Sequence, residues 1–174
     1  MSDLLIRAAH DGDRAAIQDV TLSAYQEYAS LMSVYWEGYR QSILATLADV
    51  KPAEQFVAEQ DGAVVGTVLL YPAGTVFTTP AGDSVALAWP EVRLLAVAPA
   101  ARGQGVGAAL MRECLRWARR SGAEVITLHT TDIMQVAMRM YERMGFVRAP
   151  ELDFHPGPGI TVKGYRLDLN EAQP

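Results

Sequence analysis

Residues 94–111 read LLAVAPAARGQGVGAALM, and the architecture of the whole chain follows from how this stretch divides. Glu91–Ala98 has the character of a central strand and stops at Pro99. Glycines stand at 103, 105 and 107, and a helical pattern runs from Gly105 to Arg120. Leu110, Cys114, Trp117 and Ala118 recur on one side of that helix, and Ser121-Gly122 is its stop signal. Three alternating glycines let the backbone curl close to a bulky anion. The first helical turn then offers unpaired N–H groups and a positive dipole end to the same anion. Arg102 adds a fixed charge and a planar donor fork suited to phosphate.

Two familiar phosphate loops fit less well. A nucleotide-triphosphatase loop ends in Gly-Lys-Ser/Thr, whereas Gly107 is followed by Ala108-Ala109, with neither lysine nor hydroxyl. A dinucleotide fingerprint matches Gly103-x-Gly105-x-x-Ala108 in permissive form, with Glu124 21 residues after Gly103. Its acidic residue belongs at the end of the next strand, however, and Glu124 opens one. The roughly 70 residues after the loop are also too few for a doubly wound nucleotide domain.

Outward from this segment the pattern alternates between periods of two and 3.6. Leu4–Ala8 is a short strand. Asp13 can cap a helix that begins near Arg14, with Ile17, Val20, Ala24 and Tyr25 at helical spacing, and a second helix runs from about Tyr35 to Ala48. Gln55–Gln60 and Ala63–Tyr71 are strands joined by Asp61-Gly62, a hairpin turn. Pro72 to Pro90 is loop-prone, with a hairpin arm pairing Thr75–Phe77 with Val85–Trp89. Glu124–Thr130 is a buried strand and Met134–Met144 a helix ending at Gly145. Val147–Phe154 and Thr161–Leu169 are the last strands, split by the Pro156–Gly159 turn cluster. A meander of antiparallel strands followed by a strand–helix–strand crossover predicts a mixed sheet with helices on both faces.

Composition narrows the function. The chain has 174 residues and a net charge of −5, with 13 Arg and 2 Lys spread along its length, so no basic face for nucleic acid is expected. One cysteine, Cys114, excludes a disulfide framework and a cysteine zinc cluster. No apolar stretch approaches the ~20 residues of a membrane helix, and no signal-peptide pattern opens the chain. A cytoplasmic single domain spanning 1–174, with no metal, no membrane and no nucleic-acid partner, is the expectation.

Arg102-x-x-Gly105-x-Gly107, after Leu95-Ala96-Val97 and before Ala109-Leu110-Met111, resembles the central motif of the GNAT superfamily of acyl-CoA-dependent N-acetyltransferases. Ala137-x-x-x-Tyr141-Glu142-x-x-Gly145-Phe146 resembles that family's last helix and turn, and Gly164–Leu169 its final strand. Where the family often carries Asn seven positions before the helical tyrosine stands Met134, with Gln135 beside it. The resemblance implies an α/β fold with a mostly antiparallel central sheet and a splay between its central strands. It implies acetyl-CoA as donor and a small-molecule or peptide amine as acceptor, in a monomer or homodimer. An inactive acyl-CoA-binding or sensing domain is the alternative of another class, and a dinucleotide-binding protein a more distant one.

Site residues follow from the same resemblance. The backbone of Gly103, Gln104, Gly105, Val106, Gly107 and Ala108 is the expected diphosphate cradle, with Arg102 assisting. Leu95, Ala96 and Val97 are expected to pair through their backbone with the pantetheine arm, aiming an N–H near Val97 at the thioester carbonyl. Tyr141 is the proton donor to the departing thiolate, a phenol being protonated near neutrality. Glu91 is the expected proton acceptor, with His129 or a water chain as alternatives. Strand alternation puts Glu91, Arg93, Leu95 and Val97 on one face. Tyr25, Tyr28, Tyr35, Trp36 and Tyr39, with Phe77 and Trp89, are candidates for an acceptor wall.

Overall fold

In the computed structural model the strands at 4–8, 54–60, 63–71, 91–97, 125–130 and 160–168 and the helices at 36–48, 106–120 and 135–143 lie within a residue of the bounds expected from sequence, while the hairpin arm expected at Val85–Trp89 is the shorter Ser84–Ala86. The structure describes residues 3–78 and 82–170. Thr79 and Pro80 of the loop-prone stretch lie outside them. The chain forms two compact units, Met1–Leu70 with Leu94–Cys114 and Tyr71–Arg93 with Leu115–Pro174, and the divisions fall within two strands and one helix.

In the first unit, β1 (Leu4–Ala8) pairs antiparallel with β2 (Glu54–Gln60), from Leu4↔Gln60 to Ala8↔Phe56. β2 pairs antiparallel with β3 (Ala63–Tyr71). Asp61 and Gly62 join them with φ of 51° and 78°, the paired left-handed conformation that a two-residue hairpin needs. Between β1 and β2 run α1 (Arg14–Tyr25), the single turn α2 (Ala29–Met32) and α3 (Trp36–Ala48), with 3-10 turns at Gln26–Tyr28 and Ser33–Tyr35. Ile17, Val20, Ala24 and Tyr25 are buried on α1, as their spacing predicted. Asp13 makes no side-chain cap to α1. Its carboxylate takes two hydrogen bonds from Arg7, at 2.8 and 2.9 Å, and one from the His10 N–H.

The second unit holds the hairpin β4 (Val76–Thr78) and β5 (Ser84–Ala86), paired Val76↔Ala86 and Thr78↔Ser84. It also holds the start of β6 (Glu91–Val97), β7 (Val125–Thr130), α5 (Gln135–Arg143) and β10 (Ile160–Asp168). β6 and β7 are parallel, with Glu91↔Thr127 and Val92↔Leu128 in register, and β10 runs antiparallel to β7 from Lys163↔Thr130 to Asp168↔Val125. The class is mixed α/β with a mostly antiparallel sheet. Val147–Phe154 is not one strand: Pro150 starts a 3-10 turn over Pro150–Leu152, leaving β8 (Val147–Arg148) and β9 (Phe154–Gly157). A proline lacks the N–H that a strand ladder requires.

Candidate functional site

The glycine loop belongs to the first unit. After β6 the chain turns through a 3-10 helix at Pro99–Ala101 and enters α4 (Val106–Arg120). Gly103 and Gly105 adopt φ of 74° and 80°, which side chains other than glycine reach only with strain. A Cβ at either position would meet no atom within 4 Å. The space beside each of these glycines is therefore open, and glycine is required for backbone shape, not for lack of room. The first i→i−4 bond of α4 runs from Ala109 N–H to Gly105 C=O at 3.0 Å, so Val106, Gly107 and Ala108 lie in the turn whose amides have no helical partner. Val106, Leu110 and Met111 anchor the helix with at most 2% exposure. Gly66 of β3 leaves room for them, since its Cβ would sit 2.9 Å from Val106 Cγ1.

Arg102 does not stand free at this loop. Its guanidinium donates to the Glu27 carboxylate and, at 3.1 Å, to the Ala24 carbonyl. Its expected help to a diphosphate would require the Glu27 pair to open. Gln104 is tied to Ala100 O at 3.2 Å. On β6, Leu95 C=O accepts a hydrogen bond from the Tyr25 hydroxyl at 3.2 Å, and Ala96 is buried. Leu94 has φ of 47°, a left-handed residue inside a strand. That conformation breaks the two-residue pleat, so the single face expected for Glu91, Arg93, Leu95 and Val97 is interrupted between Arg93 and Leu95.

The candidate acid–base side chains belong to the second unit. Glu91 is 3% exposed. Its Oε1 accepts from Arg93 Nε at 2.6 Å, and its Oε2 lies 3.3 Å from His129 Nδ1. The other ring nitrogen of His129, Nε2, is 2.9 Å from Leu152 C=O. Burial pushes the Glu91 carboxyl up, but the bond from His129 and the charge of Arg93 outweigh it and hold Glu91 below the usual carboxylate range. Burial likewise disfavours charge on His129, and Glu91 outweighs it, so the imidazole is held above its ordinary value. Glu91 and His129, alternatives as proton acceptor on sequence alone, are joined in one pair by the structure. Arg93 in turn lies 3.9 Å over the Phe77 ring and 5.5 Å from that of Tyr71. Tyr141, on α5, is buried with its ring 6.0 Å from that of Phe146.

The aromatic set of the first unit is a packing cluster. Tyr25 meets Tyr28 and Tyr39 edge-on at 6.1 and 6.0 Å, and Trp36 meets Tyr39 at 6.4 Å. Burial pushes the Tyr39 phenol up to about 12. Tyr35 is exposed. Among the described residues no group of three or more His, Cys, Asp or Glu could hold a metal, and no helix is long and apolar enough to cross a membrane.

A strand that ends in a left-handed glycine loop, opening onto unpaired helix amides within a mixed α/β fold, is an arrangement whose backbone donors suit an anionic group. Residues 18–146 match the Acetyltransferase (GNAT) family, and the chain belongs to that family. N-acetyltransferase 8 of Mus musculus is 34% identical over 129 residues, covering 70% of this chain and 54% of the relative. N-acetyltransferase 8B of Homo sapiens is 34% identical over 102 residues, 58% of this chain and 41% of that one. The chain spans about half the length of the curated relatives it matches. A GNAT family acetyltransferase from Brucella melitensis, solved in complex with acetyl-CoA, superposes with a TM-score of 0.62 at 26% identity, covering 99% of this chain and 92% of that one. A GNAT acetyltransferase of Staphylococcus aureus Mu50 shares the fold at a TM-score of 0.73 and 14% identity, over 97% of this chain and 100% of that one.

Proposed function

We propose that the chain transfers the acetyl group of acetyl-CoA to a primary amine on a small molecule or peptide. The observation that carries this reading is the glycine loop. Two left-handed glycines with open faces lead into helix amides that lack partners, a donor set suited to a diphosphate. The backbone of Gly103–Ala108 holds that group, and the Leu95–Val97 backbone aligns the pantetheine arm. The Val97 N–H stabilises the oxyanion formed when a neutral amine attacks the thioester carbonyl. As the carbon–sulfur bond breaks, the Tyr141 hydroxyl gives its proton to the leaving thiolate. Glu91 takes up the proton shed by the amine, directly or through a water. Each of its oxygens already accepts one donor, and each keeps a second lone pair for this purpose.

Calorimetry tests the reading at its base. Acetyl-CoA should bind, and Gly105→Glu, which fills the open face with a side chain and a negative charge, should abolish binding. Binding of NAD with none of coenzyme A would reject the proposal. Tyr141→Phe should keep cofactor affinity and lose roughly a hundredfold or more in kcat. An inactive acyl-CoA-binding domain would instead show no amine-dependent turnover before mutation.

A further inference from the structure

A carboxylate as buried as that of Glu91 is costly unless it is paired, and here two basic side chains meet it, Arg93 from its own strand and His129 from β7. Hydrogen-bond logic fixes the state of one of them. A backbone carbonyl can only accept, so His129 Nε2, 2.9 Å from Leu152 O, carries a hydrogen. His129 Nδ1 lies 3.3 Å from Glu91 Oε2, and with Glu91 kept ionised by the Arg93 guanidinium that oxygen also accepts, so Nδ1 carries a hydrogen as well. A ring that donates from both nitrogens is an imidazolium. We propose that His129 and Arg93 are positioning residues, an imidazolium and a guanidinium that clamp Glu91 as an immobile carboxylate, and that His129 is not the base. This rests on the reading of Glu91 as proton acceptor given above.

Both clamps are themselves held by groups other than Glu91. Arg93 lies between its carboxylate partner and the rings of Phe77 on β4 and Tyr71 at the end of β3. Cation–π contact of this kind resists the swing of a long side chain. His129 is fixed by the Leu152 carbonyl and by the edge of Phe154, with ring centroids 5.3 Å apart. On β10 the residue in register with His129 is Gly164, which brings no side chain, and the adjacent Lys163 is paired with Asp132. Arg93 and Glu91 are thus the charged groups found to act on His129, and Arg93 and His129 those found to act on Glu91. The set carries two positive charges and one negative. Losing Arg93 leaves a neutral pair in which Glu91 protonates more readily, while losing Glu91 sets two cations against each other.

Two measurements on the full chain decide the matter. In 15N-labelled protein at pH 7, with ring signals assigned by their loss in His129→Gln, both nitrogens of His129 should appear protonated. In Glu91→Gln the ring should revert to a neutral tautomer at that pH. The pH profile of kcat supplies the second arm. Arg93→Met should move its acid limb to higher pH and lower kcat roughly tenfold, leave the KM for acetyl-CoA unchanged, and be partly restored by Arg93→Lys. A neutral His129 in the wild-type protein at pH 7, or an acid limb unmoved by Arg93→Met, would overturn the clamp. Full kcat in Glu91→Gln would instead sink the assignment of Glu91 as acceptor, with the ring signals still deciding the state of His129.

Discussion

Gly164 sits opposite His129 in the β7–β10 ladder, and what it lacks shapes the surroundings of that ring. A Cβ there would collide with Leu152 and come within 2.9 Å of the Ala149 carbonyl. Leu152 supplies the carbonyl that fixes His129, so Gly164→Ala should disturb both packing and site. Denaturant unfolding should show a loss of roughly 1–3 kcal/mol, the usual cost of forcing a methyl into a filled space. Glu91 and His129 were visible in the sequence as two separate titratable residues. Their pairing was not, because it depends on a parallel register, Glu91↔Thr127, that no local pattern encodes. Arg93 was legible only as a residue on the same strand face as Glu91. The aromatic faces that make it a fixed donor come from positions 16 and 22 residues earlier in the chain.

At the scale of the element, the strand–loop–helix segment was legible because every signal in it is local. Proline ends the strand, glycines shape the loop, and an apolar stripe drives the helix. The left-handed Leu94 was invisible, since leucine carries no preference for that conformation. The 3-10 turns between α1 and α3 were also missed; the aromatic residues there pack in pairs and follow neither period. Glu27 lies in the first of these turns, and its carboxylate partners Arg102 at the glycine loop. Both side chains are over a third exposed, so the pair is modest in strength. Glu27→Gln should release Arg102 toward a diphosphate and tighten coenzyme A binding by up to about fivefold. Titration calorimetry at low and high salt reads this, and unchanged affinity would place Arg102 in a purely structural role.

For the molecule as a whole, charge pairs set the response to pH. Asp13, bonded by Arg7 and the His10 N–H, is pushed down to about 2 from an ordinary 3.8. Its stabilisation is complete above the unfolded value and is lost as pH falls through the folded one. The melting temperature should therefore decline between about pH 4 and pH 2. Asp13→Asn should flatten that decline and lower stability at neutral pH by roughly 1–3 kcal/mol. Glu91 and His129 act in opposite directions. Glu91, held low, contributes above its unfolded value and loses this as pH falls. His129, held high, contributes below ~6.5 and loses this as pH rises through its folded value.

The lone cysteine has a practical side. Cys114 is 0% exposed on α4, and burial pushes its thiol up and away from the reactive thiolate form. A disulfide reagent such as Ellman's should leave the native chain uncoloured. Any yellow product during turnover then counts liberated coenzyme A, and the same reagent added with denaturant counts unfolded molecules.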